Sequence, residues 1–125
     1  MLSIRNSAVC LLLPVFVPVG SVSAHHSHSN YETIEFTHLQ GKVTELYWIN
    51  PHTWIFIEVS DAEGESMTWA LEGASPVELR RDGWSEDDVQ VGDTISVRCH
   101  RLKDGSNGCL LGFLTPEGGT EKEWD

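Results

Sequence analysis

Residues 53–59, TWIFIEV, fix the class of fold. Ile55, Ile57 and Val59 share one side with Thr53, while Trp54, Phe56 and Glu58 share the other. That period of two belongs to an extended strand and fits no helix. The neighbouring stretches read the same way. Residues 34–49, IEFTHLQGKVTELYWI, are rich in β-formers, with Gly41 marking a bulge or bend in a long first strand. Asn50-Pro51 then turns the chain. Residues 61–64, DAEG, read as a hairpin turn into residues 66–72, where Met67, Trp69 and Leu71 line one side. A last hairpin runs over residues 94–102 and 108–115.

One segment breaks the period. Ser75-Pro76-Val77-Glu78 sets a capping hydroxyl, a proline at the first helical position and a glutamate three residues beyond the cap. It predicts a short helix ending near Arg81-Asp82-Gly83, and Ser85-Glu86-Asp87-Asp88 reads as the cap of a further single turn. The order is β-β-β-α-β-β: all-β with one short helix. A helix between the third and fourth strands predicts a five-stranded OB-like Greek-key barrel, with a five-stranded sandwich as the runner-up.

The first residues stand apart. Met1 to Arg5 carries one positive charge, residues 8–19 are apolar, and residues 20–24 are small, the order of a cleavable signal peptide. The apolar run is shorter than a membrane span and is broken by Pro14 and Pro18, so no stable membrane insertion is expected. Cys10 lies too early in it for lipid attachment. Cleavage after Ala24 makes His25 the first residue and leaves roughly 100 residues, enough for one domain. The chain thus divides into a leader (1–24), a histidine-rich arm (25–33), a barrel (34–116) and a flexible acidic tail (117–125). The expected location is the periplasm.

Charge narrows the partners. The formal net charge is −11, and the leader removes only Arg5 from the charged set, so the exported chain is more acidic still. Such a surface repels phosphate backbones, which excludes nucleic acid as a partner class. A metal ion or an exported protein partner remains. After export two cysteines are left, Cys99 and Cys109, flanking the turn residues Lys103-Asp104-Gly105-Ser106-Asn107. A register that sets Cys99 opposite Cys109 predicts a cross-strand disulfide in an oxidising compartment.

Several short motifs carry a resemblance. They are Ala24-His25-His26-Ser27, Gly41-Lys42-Val43, Trp48-Ile49-Asn50-Pro51-His52, Glu72-Gly73-Ala74-Ser75-Pro76, Arg81-Asp82-Gly83-Trp84 and Val91-Gly92-Asp93. Together they resemble a family of small exported bacterial proteins catalogued only as a domain of unknown function. The resemblance brings no activity with it. One departure is His28, where the family pattern implies an aromatic residue.

The histidines supply the functional expectation. A terminal His25 offers its α-amine and its ring Nδ1 to one metal, and the amine titrates at a pKa of about 7.7–8.0, so a metal displaces its proton near neutrality. A further imidazole from His26, His28 or His52 completes a nitrogen set suited to copper. A cut after Ser23 instead leaves Ala24-His25-His26, which also binds copper through amine, amides and imidazole. No cysteine–histidine set has structural-zinc spacing. His38 and His100 sit on strands without a partner and read as structural. His25 co-ligating with His52 requires the first strand to bend strongly at Gly41, since the arm enters at one end of that strand and His52 lies beyond the other. No serine–histidine–acid trio or phosphate loop is present, so the expectation is a non-catalytic binding protein. The alternative is an interaction module that docks an exported enzyme or small ligand on the aromatic surface of Trp48, Trp54 and Phe56. In that case the arm is a polar, unstructured lead-in.

Overall fold

In space, the alternation of residues 53–59 becomes strand β2 (Trp54–Ser60): Ile55 and Ile57 are fully buried, and Trp54, Phe56 and Glu58 face outward. The computed structural model describes residues 28–125. The leader (1–24), His25 and His26 lie outside the described residues. Strand β1 (Thr37–Tyr47) precedes β2, and β3 (Ser66–Glu72), helix α1 (Pro76–Arg81), β4 (Thr94–Arg101), β5 (Gly108–Thr115) and the short β6 (Lys122–Glu123) follow it. Antiparallel pairing joins β1 to both β2 and β4, β2 to β3, and β4 to β5. A parallel contact between β3 and β5 closes the circuit, giving the expected five-stranded OB-like barrel.

Strand β1 serves two halves of that wall. Residues 37–42 pair with β4 and residues 42–47 with β2, with a bulge between Val43 and Glu45. Gly41 lies just before the handover. A Cβ there would sit 2.6 Å from the Glu58 carbonyl oxygen, so only glycine lets the backbones approach so closely. Val43, Ile55, Ile57, Leu71, Ile95, Val97, Leu111 and Leu114 fill the interior.

Helix α1 forms for the reason its sequence gives. Ser75 Oγ accepts from the Glu78 N–H at 3.3 Å, and the Glu78 carboxylate accepts from the Ser75 N–H at 3.1 Å, with Pro76 at the first turn. Leu79 points into the core. Ser85 and Asp88 bond to each other's backbone, but they make a turn and not a helical turn. Among the described residues no helix is long and apolar enough to cross a membrane.

Two expectations are corrected. The segment 117–125 is not a flexible tail. Residues Lys122 and Glu123 pair with Leu114 and Phe113, Arg98 grips Glu121 through two nitrogens at 2.8 and 3.0 Å, and Trp124 is fully buried. Its polar composition concealed a single large apolar anchor. The hairpin register also differs. Cys99 lies opposite Leu111 and Cys109 opposite Arg101, because the Leu102 N–H closes the turn on the Gly108 carbonyl and a bulge follows at Arg98 and Cys99. The cysteines are therefore diagonal neighbours. Their Cα atoms are 5.6 Å apart, and the disulfide forms, buried in the core. Replacing both cysteines by alanine is expected to lower the unfolding free energy by about 2–3 kcal/mol, the loop-closure value for so short a ring. Urea titration of the oxidised and the substituted protein measures it.

Candidate functional site

The arm decides the site's position. A single 3-10 turn, His28–Asn30, leads to Tyr31, which bridges to Leu102 beyond the end of β4. The Glu32 N–H donates to the Arg101 carbonyl at 2.8 Å, and the Lys103 N–H donates to the Asn30 carbonyl at 2.9 Å. The arm thus runs beside the last hairpin as a short extra edge.

Tyr31 is buried, although polar residues surround it in sequence. Its hydroxyl donates to Glu72 Oε2 at 2.6 Å. The second oxygen of that carboxylate, Oε1, contacts Nδ1 of His52. Glu72 ends β3 and is only 5% exposed. Burial is therefore compensated on both oxygens, the condition under which an ionised carboxylate is tolerated inside a protein. Desolvation first, then the hydrogen bond to Glu72 and its charge, push the Tyr31 phenol well above its usual range.

Around His52 lies a cleft of about 170 Å³ lined by His28, His52, Gly73, Ala74, Glu78, Leu110 and Asp125. Two of the four histidines expected to act together, His28 and His52, thus share one cavity. The Asn50–Pro51 peptide that precedes His52 is cis. Glu78 has its carboxyl held below the usual range, mainly by the Ser75 hydroxyl donating at 2.7 Å, with smaller contributions from Arg81 and His52. His25 and His26 lie outside the described residues. Among the described residues, no group of three or more histidine, cysteine or acidic side chains is arranged to hold a metal ion. The described part therefore offers two imidazoles, and further nitrogens would have to come from residues 25 and 26.

The aromatic surface is differently composed than the sequence suggests. Trp54 and Phe56 do face outward, joined by Tyr47 and Ile49 in a shallow apolar depression. Tyr47 and Phe56 meet edge to face at 6.0 Å. Trp48 is not among them. It turns inward against Trp124 at 5.8 Å, with the Arg80 guanidinium over its ring, because residues on either side of a strand end point to opposite faces. Trp54 is the register partner of Glu72, so the patch abuts the His52–Glu72 pair on the barrel's outer wall.

His38 and His100 do not line this cleft. His100 stacks on Phe36 at 4.3 Å, with its Nδ1 against the Glu35 carbonyl, and His38 lies across the barrel beside Arg98 and Glu121. Sequence reasoning missed Tyr31 and Glu72. The available signals were a lone aromatic in a polar arm and an acid ending the third strand on the side away from Met67, Trp69 and Leu71.

No curated protein and no solved structure matches the chain. One family model does, over residues 15–111, most of the chain and including the turn with His52, Glu72 and the capped helix. The chain belongs to the Family of unknown function (DUF6152).

Proposed function

We propose that the protein is an exported, periplasmic, non-catalytic copper-binding protein whose site is completed when the leader is removed. The observation that carries this reading is that His28 and His52 line one cleft although far apart in sequence. Residue 25 is three positions before His28, and three residues span at most about 10 Å. Because His28 lines the same cleft as His52, that length bounds how far a terminal His25 could lie from it. His25 then supplies amine and Nδ1, His52 supplies a further imidazole, and His26 or His28 completes the set. Copper suits such a nitrogen-rich donor set with flexible coordination number. The acidic surface favours cation approach.

The test combines mass mapping of the processed chain with copper(II) titration of the wild type, a deletion of residues 25–28, and His52→Ala. The expected results are a chain beginning at His25, one tight copper site, and a loss of about a hundredfold in affinity in both variants. A processed chain that starts beyond the histidines, or a wild type no tighter than a free peptide of residues 25–33, overturns the reading. A second reading is favoured by the exposed Tyr47, Ile49, Trp54 and Phe56: the barrel docks an exported protein or small ligand there. In that case the deletion leaves function intact and Trp54→Ala abolishes it.

A further inference from the structure

Glu72 joins three parts of the chain that lie far apart in sequence. One of its oxygens receives the Tyr31 hydroxyl from the arm, and the other meets His52 Nδ1 from the β1–β2 turn. An ionised carboxylate only accepts hydrogen bonds, so a neutral His52 ring against it would carry its proton on Nδ1. The neutral ring then carries its lone pair on Nε2. With both oxygens engaged and the side chain buried, Glu72 is not itself available to a ligand in the cleft.

We propose that Glu72 is a positioning residue: it fixes His52 in the Nδ1-protonated tautomer with Nε2 as the donor offered to the cleft, and through Tyr31 it holds the arm beside that donor. The ligand class is a soft or borderline transition-metal ion, and this part of the inference rests on the copper reading above. Metal-bound histidines characteristically donate their other ring N–H to a carboxylate, which sets the orientation of the ring and raises its basicity. Here that carboxylate is in place before any metal, and the hydroxyl of Tyr31 keeps it from rotating away.

The experiment is ¹⁵N spectroscopy of the His52 ring in the metal-free full-length processed protein with the ring neutral, followed by copper(II) titration of wild type, Glu72→Gln and Tyr31→Phe. In the wild type, Nδ1 is expected to read as protonated and Nε2 as unprotonated. Glu72→Gln preserves size, but its amide also donates, so the tautomer preference is lost and copper affinity falls about 10–100-fold with His52 still present. Tyr31→Phe gives a smaller fall with the tautomer retained. A wild-type ring protonated on Nε2, or a Glu72→Gln variant with unchanged tautomer and affinity, overturns the proposal. A wild type that shows the Nδ1-protonated ring but binds no copper supports the orientation and refutes the copper reading instead.

Discussion

Replacing Trp124 by alanine is expected to lower the unfolding free energy by about 3–5 kcal/mol, the range for deleting a buried large aromatic side chain. The indole is fully buried. It meets Trp84 at 4.3 Å and Trp48 at 5.8 Å, and its Nε1–H donates to the Thr53 hydroxyl at 3.2 Å. Its backbone is held from both sides: the Trp124 N–H donates to the Gly112 carbonyl at 2.9 Å, and its carbonyl accepts from the Ala74 N–H at 3.1 Å. Loss of the side chain leaves Thr53 and the two tryptophans facing a void that backbone fixed this way cannot collapse into. Urea unfolding followed by circular dichroism measures the effect, and a loss under about 1 kcal/mol would mean that the segment frays. Gly73 offers a control, because a Cβ there would overlap the indole. Gly73→Ala should destabilise the wild type more than the Trp124→Ala background, where Thr53 Oγ1 at 2.9 Å is the close contact that remains, a coupling that neighbours in contact show.

The barrel was legible in the sequence because its determinants are local. The alternation of residues 53–59, the capping box at Ser75 and the turn residues between strands each dictate their own conformation, and their order leaves few topologies. Trp124 and Tyr31 were not legible for the opposite reason. Each is one aromatic in a polar segment, with no period to place it, and its burial depends on a groove that exists only once the barrel has closed. The disulfide was legible as a pair, but its register was not, since the closing contact between Leu102 and Gly108 decides that. At the site, His28 and His52 were named as candidates from residue type alone. Their meeting depended on the arm's bridge to Leu102 as much as on the bend in β1, and no spacing rule reports such a contact.

Tyr31→Ala is expected to lower stability by about 3–5 kcal/mol, and Tyr31→Phe by about 1.5–3 kcal/mol. The difference separates the two things Tyr31 does. The ring fills the space between the arm and the barrel wall, where the residue is 5% exposed, and the hydroxyl satisfies a buried carboxylate that has one other partner. Phenylalanine keeps the first and removes the second, leaving one Glu72 oxygen buried without its donor. The pH dependence isolates the hydroxyl further. Burial and Glu72 raise the phenol's pKa in the folded state, so the fold retains a proton that the unfolded chain releases near pH 10. This contribution is complete below about pH 10 and is lost as the pH rises beyond it. Tyr31→Phe should therefore flatten the alkaline fall in stability, leaving the slope from the other raised groups, among them Tyr47, held up by its exposed bond to Glu45, and Arg81, held up by Asp82. If the wild type and Tyr31→Phe lose stability in parallel above pH 10, the hydroxyl is not bound to Glu72 in solution. The arm would then lack the contact that ties it to the carboxylate behind His52.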